Sequence, residues 1–250
     1  MSSENFVSNS LSRKQFQNIL ELFQDSDRKL GDDRNQIKIV QFEGRKLVVK
    51  SFKIPNAINR IVYRFFRKSK AERSYLNALY LKSRNLGTPE PLAYLEEIGP
   101  ARFHQSYYVS EFVEHDFTFR ELAADDTIKN KKEILKAFTQ FIYQLHEANV
   151  YFLDNSPGNT LILISGNEYK FYLVDLNRMK FYDIPVKDRL KNFERLSPQK
   201  WMFDIMGAEY ARLSQLDPEE TINTMWNHVQ AFQDHFQNKK KWKKRLKKIS

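Results

Sequence analysis

The chain has 250 residues, 41% hydrophobic and 14% aromatic, enough to bury a core in one two-lobed domain or two small ones and too apolar for a disordered protein. It has no cysteine, which excludes disulfides and thiolate metal sites, and no run of about 18 apolar residues that would span a membrane. The net charge is +10, but Lys239 to Ser250 carry eight basic residues and no acid, so the remainder is left at about +2. That distribution suggests a separate basic docking tail on a near-neutral body rather than a generally basic nucleic-acid binder.

In chain order, the polar opening MSSENFVSNSLSRKQF lacks the apolar core of a signal peptide, so a soluble protein kept in the cytoplasm is expected. Residues 14–24 read as a short amphipathic helix. Ile37 to Phe52 alternate apolar and polar residues on either side of Glu43-Gly44, the pattern of a β-hairpin. The second half of Pro55 to Asn85 has helical spacing through Tyr75, Leu76 and Leu79, with Gly87 as the expected stop. Pro89 and Pro91 then lead into an extended segment, and Ser106 to Val113 read as a buried strand. Beyond Val113 the pattern turns helical, with Ile134, Leu135, Phe138, Phe141, Ile142 and Leu145 on one face. Two short strands, NTLILI and YKFYLVDL, flank a Ser165-Gly166-Asn167 turn. The rest reads as helix, with Asp217 capping one that starts at Pro218.

This order of elements carries a chemical pattern. Lys50 closes the strand KLVVKSF, where a lysine on the inner face needs a partner, and Glu72 in the following helix is a candidate. Asp154 and Asn159 stand five apart in LDNSPGNTL, and Asp175 ends FYLVDL. Transfer of a nucleotide's phosphate needs such groups: a cation for the phosphates, an acid to orient it, carboxylate and amide oxygens for Mg²⁺, and a base at the attacking hydroxyl. Each group alone has a plainer reading. Lys50 could be a solvated strand-end lysine, Glu72 a helix-surface ion pair, Asp154 an Asx turn and Asp175 a turn acid. The five together, each in order on the expected element, point to phosphoryl transfer.

On VVKSF (48–52), FKIPNAINRIVYRFFRKSKAERSYLNA (52–78), TPEPLAY (88–94), YYVSEFV (107–113), LDNSPGNTL (153–161) and VDLNRMKF (174–181), the chain resembles the protein-kinase-like superfamily. More narrowly, it resembles the bacterial lipopolysaccharide core kinases, which act on Kdo or heptose. The resemblance covers roughly Ile37 to Leu196 and implies an α+β, bilobal protein-kinase-like fold. That fold has a small N-terminal β-sheet lobe with one helix (1–110), a larger and mainly helical C-terminal lobe (111–238) and a basic amphipathic tail (239–250). It further implies that Lys50, paired with Glu72, holds the ATP phosphates, that Glu111 and Val113 offer backbone groups to adenine at the hinge, that Asp154 is the catalytic base, and that Asn159 and Asp175 bind Mg²⁺. Arg60, Arg64, Arg67, Lys68 and Arg178 are the cations expected to meet the acceptor's anionic groups.

Three departures stand out. Phe152 occupies the position two before the base where such enzymes usually carry histidine. Asn177 stands where a glycine usually follows the metal-binding Asp, and asparagine tolerates unusual backbone angles. The segment DRKLGDDRN has one glycine, Gly31, in place of a glycine-rich phosphate loop.

The five histidines form no metal set, and His146 reads as closing its helix. In the tail, Trp242, Leu246 and Ile249 make an apolar stripe on a basic helix, the composition of a surface-lying anchor on an anionic membrane. The expected activity is an ATP- and Mg²⁺-dependent kinase for a sugar hydroxyl of a Kdo-lipid A type precursor, peripheral on the cytoplasmic face of the inner membrane, with no nucleic-acid partner. The alternatives are a kinase of a protein or soluble small molecule, and a catalytically silent pseudokinase scaffold at the membrane.

Overall fold

The computed structural model describes residues 3–26, 29–30, 35–52, 68–99, 103–166 and 168–246. The chain forms two compact units, Met1–Glu114 with Leu173–Arg178, and His115–Tyr172 with Met179–Ser250.

The first unit is built on a six-stranded antiparallel sheet in the order β1-β5-β6-β4-β3-β2. Its strands are β1 (Ser3–Ser8), β2 (Lys29–Leu30), β3 (Asn35–Phe42), β4 (Arg45–Phe52), β5 (Pro91–Ile98) and β6 (Phe103–Glu111). The hairpin β3–β4 turns at Glu43 and Gly44, with φ of 48° and 76°; two consecutive left-handed residues match the right-handed twist of the flanking strands. Helix α1 (Arg13–Asp25) opens with a reciprocal Ser12–Gln15 capping box and lays Phe16, Ile19 and Phe23 against Leu47, Val49 and Val109 of the sheet. Its last turn has no basic residue of its own. Lys38, buried on β3, donates to the carbonyls of Phe23 (2.7 Å) and Gln24 (3.2 Å) and supplies the missing positive charge.

Helix α2 (Lys70–Ser83) is capped by Ser69, whose hydroxyl accepts from the Glu72 amide at 3.0 Å. It ends before Gly87, the expected stop. Asn85 takes the left-handed angle (φ 57°), and the Leu86 and Asn85 amides return to the Leu81 and Lys82 carbonyls, a complete Schellman closure. Gly87 has another part: its carbonyl accepts from the Leu173 amide at 2.9 Å. With the bond from Thr88 Oγ1 to the Leu173 carbonyl (2.9 Å), this ties the segment that follows β10 into the first unit.

The second unit is mainly helical. Its elements are β7 (Phe117–Thr118), α3 (Phe119–Ala124), α4 (Lys131–Glu147), β8 (Val150–Phe152), β9 (Thr160–Ser165), β10 (Glu168–Leu173, whose last residue falls in the first unit), β11 (Met179–Phe181), α5 (Val186–Lys191), α6 (Lys200–Ser214) and α7 (Pro218–Leu246). The apolar face expected for α4 is buried along its length; α4 packs against α6, whose Met202, Phe203, Met206 and Tyr210 are also buried. The strands beyond Val113 form two small sheets, β10-β9-β7 and β11-β8. Asp217 caps α7 by accepting from the Glu220 amide at 2.8 Å, and the helix runs through position 239 to Leu246 without a break. Among the described residues no helix is long and apolar enough to cross a membrane.

His146 is fully buried in the last turn of α4, with Nδ1 2.8 Å from the Tyr210 hydroxyl and Nε2 3.2 Å from Asn192 Oδ1. A neutral ring satisfies both contacts: Nε2–H donates to Asn192, and Nδ1 accepts from Tyr210. Burial, reinforced by the nearby Arg189 charge, lowers its pKa from 6.5 to about 4. Below pH 6.5 the unfolded chain therefore binds a proton that the folded chain refuses. Stability should fall as the pH drops from 6.5 to 4, by at most about 1.4 kcal/mol per pH unit and on the order of 3 kcal/mol in all. Urea unfolding midpoints across that range should show the slope in the wild type and a flatter one in His146→Gln, which cannot titrate; equal slopes would remove His146 from the account.

Candidate active site

In the first unit, Lys50 lies on β4 opposite Ile37 and Tyr108, 7% exposed and with its ammonium 5.1 Å from the centre of the Phe52 ring. A cation so enclosed needs polar partners, and an opposite charge is the strongest of them. The sequence reading pairs Lys50 with Glu72; the structure pairs it with Asp175 Oδ1 and gives Glu72 a contact with Lys68 at 3.4 Å.

Asp175 sits just after β10 with φ of 60°, a left-handed angle that costs a non-glycine residue about 1–3 kcal/mol. Three hydrogen bonds over-determine it. Asn177 Nδ2 donates to Asp175 Oδ1 at 2.5 Å, Asn77 Nδ2 to the Leu176 carbonyl at 2.6 Å, and Thr88 to the Leu173 carbonyl at 2.9 Å. The unusual angle expected at Asn177 thus falls at Asp175, and Asn177 acts through its side chain. Among the described residues, the polar contacts to Asp175 use Oδ1, which leaves Oδ2 for a cation.

Glu111 ends β6. Its amide is engaged by the Glu90 carbonyl at 2.9 Å, so any bond it offers an adenine comes from its own carbonyl. Val113, two residues on, is half-buried.

In the second unit, Leu153 to Asn159 form a closed loop. The Asn159 side-chain amide donates to the Asp154 carbonyl at 2.9 Å, which leaves its Oδ1 for a cation. A 3₁₀ turn at Pro157–Asn159 sets the spacing. A Cβ on Gly158 would meet Arg120 Nη2 at 2.9 Å, so the Ser-Pro-Gly turn leaves room for that guanidinium. Asp154 is 17% exposed at its side chain and bonded by Arg195 Nη1 at 2.8 Å. The Phe152 side chain, which takes the place of the usual histidine, is wholly buried in the core; its carbonyl accepts from Asn192 Nδ2 at 2.8 Å. Asn155 Nδ2 in turn donates to the Asn192 carbonyl at 3.0 Å.

Sequence reasoning finds neither Asn192 nor Arg195. They stand about forty residues from the loop, in a stretch with no motif. Of the expected acceptor cations, Lys68 and Arg178 are exposed, and Arg60, Arg64 and Arg67 lie outside the described residues, as does most of DRKLGDDRN. Among the described residues no group of three or more His, Asp or Glu side chains could hold a metal by itself. Asp175 Oδ2 in the first unit and Asn159 Oδ1 in the second are each hard oxygen donors of the kind Mg²⁺ takes when nucleotide phosphates complete its shell.

No curated protein matches the chain. A solved structure described as WaaP in complex with acyl carrier protein shares the fold, with a TM-score of 0.63 at 16% identity over 91% of this chain and 98% of that one. The model of the lipopolysaccharide kinase (Kdo/WaaP) family matches residues 35–216, a span that includes Lys50, Glu72, Asp154, Asn159 and Asp175. The chain belongs to the lipopolysaccharide kinase (Kdo/WaaP) family and is a phosphotransferase.

Proposed function

We propose that the protein transfers the γ-phosphate of ATP to a sugar hydroxyl of the lipopolysaccharide inner core, on Kdo or heptose, with Mg²⁺. The observation that carries this reading is the family match over a span containing the whole Lys50, Glu72, Asp154, Asn159 and Asp175 set. Lys50 holds the nucleotide's phosphates, and Glu72 lies on the helix that follows its strand. The Glu111 carbonyl and the Val113 backbone receive adenine. Asp175 and Asn159 would hold the metal ion, which would supply positive charge against the nucleotide's phosphates. Asp154 takes the proton of the acceptor hydroxyl as its oxygen bonds to the γ-phosphorus and the bridging P–O bond breaks, releasing ADP. Lys68 and Arg178, with Arg60, Arg64 and Arg67, meet the acceptor's anionic groups.

The acceptor is a lipid, so the enzyme works at the cytoplasmic face of the inner membrane. Helix α7 supports this: Phe236 and Trp242 are 56% and 63% exposed near Lys239 and Lys240, where the eight-base segment begins. At about 1 kcal/mol per basic residue near anionic lipid, that segment gives reversible attraction.

Purified protein with radiolabelled ATP and a panel of core lipids should phosphorylate a Kdo-lipid A type acceptor. Asp154→Asn should lower turnover by about 10²–10⁴-fold with its melting temperature kept. Label on proteins or free sugars but on no lipid would overturn the acceptor, and an active Asp154→Asn would remove the base. In cosedimentation with phosphatidylglycerol vesicles, binding should weaken as salt rises and be largely lost when the eight tail bases are changed to glutamine; unchanged binding in that variant contradicts the anchor.

A further inference from the structure

The catalytic loop is held from outside by two side chains that follow α5, and the bonds take its residues one after another. Asn192 Nδ2 donates to the Phe152 carbonyl at 2.8 Å. Arg195 Nη1 donates to the Leu153 carbonyl at 3.3 Å and to Asp154 Oδ1 at 2.8 Å. Asn155 Nδ2 donates to the Asn192 carbonyl at 3.0 Å. Four consecutive residues, 152 to 155, are thus fixed by positions 192 and 195. We infer that Asn192 and Arg195 are positioning residues for Asp154 and replace the polar brace that Phe152 cannot supply; the inference rests on Asp154 being the base.

The two anchors are themselves set in the fold. Asn192 is buried, and its Oδ1 accepts from His146, which faces the Tyr210 hydroxyl. All its polar groups in this cluster are therefore directional: the amide nitrogen must face the loop because the amide oxygen faces a ring N–H. The Arg195 guanidinium lies 5.7 Å from the centre of the Phe232 ring on α7, which limits the planes it can adopt. By holding Oδ1 of Asp154, it also fixes the direction of the other carboxylate oxygen. A base must meet its proton within hydrogen-bond reach, and a displacement near 1 Å can cost about 10²-fold in rate. Lysine can supply the charge at position 195, but not the planar guanidinium whose Nη1 meets a carbonyl and a carboxylate in fixed directions.

The test has two arms on the full-length protein. In hydrogen–deuterium exchange without ligand, Arg195→Ala should speed exchange in the peptide covering 152–159 by about tenfold or more with α4 and α6 peptides unchanged, and Asn192→Ala should speed the same peptide together with the end of α4, where His146 loses its partner. In turnover with Mg-ATP and Kdo-lipid A, Arg195→Ala should lose about 10²-fold in kcat with the KM for ATP changed less than about threefold. Arg195→Lys should recover part of that loss, and tens of millimolar free guanidinium should recover part of it in Arg195→Ala. Unchanged loop exchange overturns the inference, as does a kcat loss that neither lysine nor guanidinium restores. If the wild type leaves Kdo-lipid A unmodified, the acceptor reading fails while the exchange arm still decides whether the two residues hold the loop.

Discussion

The first unit depends on the ion pair between Lys50 and Asp175. A lysine nearly enclosed by a sheet must have its ammonium satisfied, and while Lys38 does so on helix-end carbonyls, Lys50 finds an acid 125 residues further along the chain. Asp175 can reach it because the backbone there adopts a left-handed angle, kept in place by Asn177, Asn77 and Thr88. The Leu173–Arg178 segment accordingly belongs with the N-terminal sheet, although the rest of its hairpin lies in the other unit. Pre-set strain of this kind is typical of residues that must present a charge in one direction.

The second unit solves a different problem. A loop carrying an acid and an amide five apart must keep a fixed shape without a regular strand or helix. The loop's own bonds close it, through the Asn159 side chain and the 3₁₀ turn. Buried groups behind it, from Tyr210 through His146 to Asn192, hold its first residues. A neutral histidine in the core is thus part of the loop's foundation.

Much of the architecture was legible in the sequence. The hairpin around Glu43-Gly44, the apolar face of α4 and the Asp217 cap follow from local rules, because alternation, helical spacing and capping chemistry act over a few residues. The five candidate residues stand out in the sequence for a similar reason: each is a residue type that its element rarely needs for packing. What escaped is non-local. Strand β1 is short and polar and exists because β5 offers it an edge. Strands β7, β8 and β11 span two or three residues, too few for any period to show. Lys38, Asn192 and Arg195 act on backbone 14 to 42 residues away, and nothing in their neighbours marks them. Glu72 stands nearer Lys50 in sequence, yet the ion pair forms with the more distant Asp175, and α2 is closed by Asn85 in the left-handed angle, two residues before Gly87.

The most direct measurement is calorimetric titration of ATP into the wild type and Asp175→Asn, each with Mg²⁺ and with EDTA. Asparagine tolerates the left-handed angle, so the substitution removes charge while the backbone can stay. If Lys50 and Asp175 form the nucleotide and metal seat, the wild type should bind ATP at least about tenfold more tightly with Mg²⁺, and Asp175→Asn should lose that dependence. Equal ATP affinity under all four conditions, or no ATP binding at all by the wild type, would contradict it.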